Sequence, residues 1–285
     1  MFVHGGPFGN VSLGCSSLIA TKTALKLADY VTTEAGFATE LGAEKFFDIQ
    51  CRIGNLKPSA VVIVATLKAL RFHNPPSPPF IKGRTRGVEN LEKHIENIKK
   101  FGLPFLVAIN RFKDDTDAEL KKIIAALKDR GIPALIADVR NKGGKGGREA
   151  AVKLLELCER KNSFKYLYPL TMSVREKIEI IAKEMYGADG AIFAEDAEKD
   201  MQNIENLGYK NLPVCVAKTP KSLSDNPNLL GRPKDFTITV HRILPAAGAG
   251  FLVAICGNIL LMPGFPEHPI AERIDINRKG RIIGI

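Results

Sequence analysis

Glycines gathered behind apolar runs are the first residues in this sequence suited to chemistry. Four such stretches occur: Gly5 to Gly9, Gly36 to Gly42, Gly143 to Gly147, and Ala246-Ala247-Gly248-Ala249-Gly250. Backbone N–H groups bared by missing side chains can surround a phosphate, and a helix starting behind them adds its dipole. None has the G-x-x-x-x-G-K-[ST] spacing of a phosphate loop or the G-x-G-x-x-G of a dinucleotide site, so each alone also reads as a structural turn. Beside the second stretch stand Glu34, Glu40, Glu44, Lys45 and Asp48, with Phe37, Phe46 and Phe47. Carboxylates there could hold a metal-bound nucleotide or orient a nucleophilic amine; capping of a short helix is the plainer account, and spacing alone favours it. In Asn110-Arg111-Phe112-Lys113 the aromatic follows an apolar run, where it either stacks on a flat heterocycle or closes the core. No metal site is expected, because the five His and five Cys nowhere approach zinc-ligand spacing. No G-x-S-x-G elbow occurs, Ser16-Ser17 reads as a helix start, and Cys158 reads as packing within a helix.

These residues need elements to hold them, and the periodicity supplies an alternation. A helix is predicted over 16–33, a loop over 34–44, and a buried parallel strand over 60–65. The prolines of 74–87 force an extended surface loop. A helix over 88–100, a strand over 104–109, a helix over 116–130 and a strand over 134–137 follow, then a glycine loop over 142–147 and a helix over 148–160. Strands alternating with helices of this length indicate βαβ units and a largely parallel sheet. Beyond 163 the pattern gives helices at 173–186 and 196–207, a strand at 213–217, a loop at 218–234, strands at 236–243 and 251–255, and a terminal hairpin pairing 273–276 with 281–285. The expected class is α/β.

Composition bounds the reading further. With 285 residues, 45% apolar and 25% charged, the chain can bury a core and is neither disordered nor fibrous. No apolar run reaches the roughly 18 residues of a membrane span, and the N-terminus lacks the basic, apolar and cleavage regions of a leader. An odd cysteine count without ligand spacing predicts reduced thiols and a cytoplasmic location. The net charge of +10 fits either a polyanionic partner or a basic solvated surface.

Longer stretches carry a resemblance. HGGPFGN, LADYVTTEAGFATELGAEKFFDIQCR, VVIVATLKALRFH, NLEKHIENIKKFG, INRF with DTDAEL, KGGKGG, EMYGADG, NLPVCVAKT, SLSDNPNLLGRP and AGAGF before MPGFP together resemble formate–tetrahydrofolate ligase, from Phe2 to Ile285. The resemblance implies an ATP-dependent C–N ligase making 10-formyltetrahydrofolate through formyl phosphate. It implies ATP with Mg2+ and tetrahydrofolate as substrates, a monovalent cation, a cytoplasmic homotetramer, and neither membrane nor nucleic acid as partner. It implies a partial P-loop-type nucleotide-binding core with a parallel sheet over 1–73, the Pro-rich loop 74–87, an α/β unit with folate-facing loops over 88–160, and a C-terminal α+β domain over 161–285. Residues carried over by matching motifs are Gly36, Phe37, Leu41, Gly42, Phe112 and Arg140 for formyl phosphate and folate. Ala247, Gly248, Ala249 and Gly250 are carried over for the nucleotide; no catalytic residue is assigned.

Departures from the family pattern are equally plain. The P-loop-bearing N-terminal half is not represented, so activity is expected to need an N-terminal half-enzyme chain. Arg140 occupies the position of the family's second stacking aromatic, usually Trp, and the chain has no Trp. Lys218-Thr219-Pro220-Lys221-Ser222 replaces Lys-Thr-Gln-Tyr-Ser, Leu244-Pro245-Ala246 replaces a more polar run, and Leu13 and Cys15 replace His and Asn. A non-catalytic remnant or an accessory folate-binding or oligomerisation protein is the alternative. A polyanion binder using Lys82, Arg84, Arg86, Arg140, Lys142, Lys145 and Arg148 ranks last, since no aromatics interleave these charges.

Overall fold

A computed structural model describes residues 13–73, 86–257, 259, 267–278 and 280–284. The Gly5–Gly9 stretch and nearly all of the Pro-rich loop lie outside these residues.

The alternation of strand and helix in the first half builds a parallel sheet in the order β1-β2-β3, from Val61–Ala65, Phe105–Asn110 and Ala134–Ala137. Register runs Val61 to Phe105 on one side of β2 and Val107 to Ala134 on the other. Both faces of β2 are covered, which is why its sequence is continuously apolar rather than alternating. Val107 and Ile109 point into the main core with Val88, Leu91, Ile95 and Ile98, which lie at helical spacing on α4 (Arg86–Lys100). Leu106 and Ala108 point the other way, onto Leu157 of α7 (Gly144–Cys158). Helix α5 (Asp117–Lys128) opens on a complete capping box between Thr116 and Glu119. α3 (Leu67–Phe72) starts on the Thr66 hydroxyl, which accepts from the Ala69 N–H.

The second sheet is mixed, ordered β4-β6-β7-β5 (Gly190–Phe193, Thr237–Ala246, Phe251–Cys256, Val214–Ala217). β4 runs parallel to β6 and β5 parallel to β7, while β6 and β7 form an antiparallel hairpin. Four-residue β4 escaped the sequence reading because GAIF is too short to show a period. Helix α8 (Val174–Ile180, continuing through wide π turns over Ile181–Tyr186) and helix α9 (Glu195–Asn206) pack on this sheet. The terminal hairpin pairs β8 (Asp275–Ile276) with β9 (Ile282–Ile283). One apolar core joins the two sheets, running from Ala43 and Phe47 through Phe101 and Tyr168 to Leu252 and Cys256.

Three expectations are corrected. Helix α1 is Leu18–Leu27, ending well before residue 33, although it does begin on Ser17, whose hydroxyl accepts from the Ala20 N–H. The loop predicted over 34–44 gives way at Ala38 to a helical run, α2, made of Ala38–Ala43, Phe46–Cys51 and Arg52–Gly54, much of it in wide π turns. Its charged residues point inward, so no apolar stripe marks it as a helix. The glycine loop over 142–147 is also mostly helical: only Gly143 (φ 56°) separates α6 (Val139–Lys142) from α7. Gly146 is required because a Cβ there would stand 2.0 Å from the Asp138 carbonyl oxygen. Its glycine serves close packing.

Candidate functional site

In an open parallel sheet, ligands sit beyond the carboxyl ends of the strands. Three short segments meet there in this protein: Thr66 after β1, Asn110-Arg111-Phe112 after β2, and Asp138-Val139-Arg140 after β3. The Arg111 N–H donates to the Ala137 carbonyl, tying the second segment to the third. Phe112 is fixed by a tight turn in which its N–H donates to Asp115 Oδ2 (2.9 Å) and its carbonyl accepts the Asp115 N–H. Its ring is left 36% exposed. Arg140, 28 residues further on, places its guanidinium carbon 5.9 Å from the centroid of that ring. Among the described residues Arg140 has no carboxylate partner, whereas Arg111 pairs with Asp117 (2.7 Å) and Lys142 with Asp138 (3.2 Å). An exposed aromatic face under an unpaired planar cation suits a flat, electron-rich ring.

The second place is the entry to α2. Phe37 (φ 62°) and Ala38 (φ 60°) are consecutive non-glycine residues in the left-handed region. Each costs roughly 1–2 kcal/mol relative to right-handed backbone. Phe37 is nevertheless 44% exposed, so burial of its ring does not offset that strain. The turn is held from outside: the Gly36 N–H donates to the Gly14 carbonyl (2.9 Å), and Cys15 bridges to Ala35. The Cys15 thiol in turn donates to Gln50 Oε1, and burial pushes its pKa up to about 12. Gly42, one turn into the helix, lies against Gly36 so tightly that a Cβ would stand 1.6 Å from the Gly36 oxygen.

Inside α2 the charged residues that looked like a cap or a ligand set are buried. Glu40, Glu44, Lys45 and Asp48 are all nearly inaccessible, and at i, i+4 and i+8 the three carboxylates share one face of the helix. Asp48 accepts from Arg52 (2.9 Å) and from the Leu167 N–H (2.9 Å), and the Arg52 guanidinium lies 3.9 Å from the Tyr166 ring centroid. Among the described residues Glu44 has no hydrogen-bond partner on either oxygen. Burial first, then the Asp48 charge, holds the Glu44 pKa well above its ordinary value. Burial raises Asp48 as well, to about 6, but the Leu167 N–H and Arg52 hold it down, so Glu44, without donors among the described residues, keeps its proton to the higher pH. Glu40 lies 3.3 Å from His94 Nδ1 and 3.6 Å from the fully buried Lys218 Nζ. Lys218 also donates to the carbonyls of Thr219 and Ser222, and burial lowers its pKa against the pull of Glu40. Burial likewise lowers the His94 pKa.

The residues named from sequence thus fall into three groups. Phe112 and Arg140 come together. Gly36 and Phe37 form the strained turn, with Leu41 and Gly42 buried behind it as packing residues. Ala247 to Gly250 make the β6–β7 turn, in which Gly250 (φ 79°) donates to the Ala246 carbonyl. A Cβ on Gly250 would lie 3.7 Å from Ile53, at the far end of α2. No hydrogen bond, ion pair or ring contact among the described residues joins either group to Phe112. Sequence reasoning missed His94, Lys218 and Asn97 altogether; their only signal was polar residues at positions where α4 and the end of β5 read as buried.

The chain is similar over its whole length to one enzyme family: the profile described as formate–tetrahydrofolate ligase matches residues 1–285. A curated relative of that name from Bacillus licheniformis is 50% identical over 289 aligned residues, which take in 99% of this chain and 52% of the relative. The chain therefore spans about half the length of that relative.

Proposed function

The chain belongs to the formate–tetrahydrofolate ligase family, and from that premise we propose that it supplies the folate-facing wall of an ATP-dependent ligase forming 10-formyltetrahydrofolate. The observation that carries this reading is the pairing of Phe112 and Arg140 beyond the carboxyl ends of β2 and β3. Phe112 stacks on the pterin face, and Arg140 closes the slot from the other side in place of an aromatic. A ring between two stacking planes needs about 7 Å, twice the usual contact distance of 3.5 Å. Arg140 must swing out by about 1 Å from its 5.9 Å position, which its exposed, unpaired side chain permits.

The chemistry asked of this wall is positioning. In the reaction ATP phosphorylates formate, and the folate amine then attacks the formyl carbon and expels phosphate. Holding a weakly basic amine at attack distance from an acyl phosphate lowers the barrier chiefly through pre-organisation. The Gly36-Phe37 turn borders the acyl phosphate in this reading, and the Ala247–Gly250 turn lies near the nucleotide. Residues 1–73 complete a P-loop-type core, 88–160 carry the folate-facing loops, and 161–285 form the C-terminal unit. No P-loop motif occurs in the 285 residues, so phosphoryl transfer falls to an N-terminal half, within a homo-oligomer. Among the described residues no group of three His, Cys, Asp or Glu is placed to hold a metal ion.

Titration calorimetry of the chain with tetrahydrofolate tests the reading. Saturable binding that weakens about tenfold or more in Phe112→Ala is expected, since a stacked ring contributes roughly 1–3 kcal/mol. Binding unchanged in that variant, or absent even when an N-terminal half is supplied, supports a remnant without a folate site.

A further inference from the structure

The strained Phe37-Ala38 turn has a second set of restraints on the side away from Gly14. Glu40 follows it within one helical turn and lies against two side-chain nitrogens from distant parts of the chain, Nδ1 of His94 on α4 (3.3 Å) and Nζ of Lys218 after β5 (3.6 Å). Thr39 Oγ1 lies 3.0 Å from His94 Nδ1 and accepts from Asn97 Nδ2 (3.3 Å), and Asn97 also donates to the Met185 carbonyl. Lys218 Nζ sits 4.9 Å from the centroid of the Tyr186 ring. It is the first residue of the 218–234 segment, whose far end is pinned to the same helix α4. There Asn90 donates to the Gly231 carbonyl (2.8 Å), and Arg232 forms a two-point ion pair with Glu96 (2.7 and 2.8 Å). α4 is thus a common beam for the turn and the segment, and Lys218 is where they meet.

Burying a lysine costs far more than a surface ion pair returns. A methionine would fill the same space without that cost, so lysine is retained here for what it fixes. We propose that Lys218, Glu40 and His94 are positioning residues that hold the left-handed Phe37-Ala38 turn and present the exposed Phe37 ring, coupling its orientation to the 218–234 segment. A ligand or neighbouring chain that displaces this segment releases the turn, and one that orders the turn fixes the segment. The inference rests on the reading of Phe37 as a wall of the ligand pocket, but its restraint of the turn can be measured without any ligand.

Hydrogen–deuterium exchange of the full chain is the first arm. In Lys218→Met, exchange across residues 35–40 should accelerate at least tenfold while β1, β2 and β3 stay protected; Glu40→Gln should give a smaller effect in the same place, and Lys218→Arg should restore part of the protection. Glu40→Gln and Lys218→Arg keep the arm decisive should Lys218→Met not fold. Exchange over 35–40 unchanged in these variants, or raised equally everywhere, overturns the proposal. The second arm is turnover after completion with the N-terminal half of the Bacillus licheniformis relative. Lys218→Met and Phe37→Ala should each lower kcat at least tenfold, and the double variant should lose little more than either. Fully additive losses overturn the coupling. Absence of turnover in the wild-type mixture would defeat the ligase reading, and the exchange result would still decide whether Lys218 holds the turn.

Discussion

Glu44 offers a sharp test of how the buried charges of α2 are balanced. Its carboxyl is fully buried, has no hydrogen-bond partner among the described residues, and lies one turn from Asp48, whose own pKa burial raises to about 6. In the folded chain it keeps its proton well above the ordinary value of 4.5, at which the unfolded chain releases it. Between those two values the folded state binds one proton more than the unfolded state. Stability therefore falls as pH rises through that window, by about 1.4 kcal/mol per pH unit. Glu44→Gln replaces a neutral carboxyl by a neutral amide of the same shape, which can donate to the unpartnered Asp48 Oδ2. The variant should lose this slope while matching the wild type near pH 4. Within that window its advantage should grow by about 1.4 kcal/mol per pH unit, each kcal/mol being a rise in Tm of roughly 2–4 °C for a chain of this size. Urea unfolding at half-unit steps from pH 4.5 to 7.5 reads the effect most cleanly above pH 6, where Asp48, which shares the buried site and titrates at about 6, is ionised in both proteins. Parallel curves, or a variant destabilised by a constant amount at all pH values, would refute a protonated Glu44.

Other consequences are quickly stated. Gly42→Ala places a Cβ 1.6 Å from the Gly36 carbonyl oxygen, a clash between two stretches of backbone. It should cost about 3 kcal/mol, seen as a lowered urea midpoint with enhanced exchange over residues 35–42. Thr116→Ala removes the capping box of α5 and should cost about 1 kcal/mol, or a Tm drop of roughly 2–4 °C by calorimetry. Arg140→Ala should weaken tetrahydrofolate two- to fivefold, as fits a cation–π contact of about 0.5–1 kcal/mol, and titration calorimetry reads the loss directly.

The elements around the parallel sheet were legible because one physical signal dominated each. VVIVA and PFLVAI are too apolar for exposed strands and too short for helices; the sheet buries both faces of β2, whereas β1 stands at its edge and leaves Val64 65% exposed among the described residues. The helix expected from Thr116 begins there, and the structure adds Glu119 as the second half of its capping box. The failures came where side chains defied their usual partition. ATELGAEKFFDIQCR carries charges that α2 turns inward, so a pattern that assumes exposed charge sees a loop. Gly143 to Gly147 stayed open between a structural turn and an anion site, because glycine's close-packing use and its anion-binding use leave the same mark in sequence. At the site, Phe112 was visible as an aromatic behind a strand, and Arg140 became a candidate only through the family resemblance. The Lys218–Glu40–His94 contact joins residues up to 178 positions apart and left no local trace.

We propose that this chain is the folate-facing part of a formate–tetrahydrofolate ligase whose phosphoryl-transfer machinery lies in another half. The decisive assay is formation of 10-formyltetrahydrofolate from formate, ATP and tetrahydrofolate, followed by its absorbance after acid conversion. The account predicts no product with the chain alone and sustained product once the N-terminal half of the Bacillus licheniformis relative is added, lost again when Phe112 is changed to Ala. Robust turnover by the chain alone, or none from the completed wild-type mixture, would contradict it.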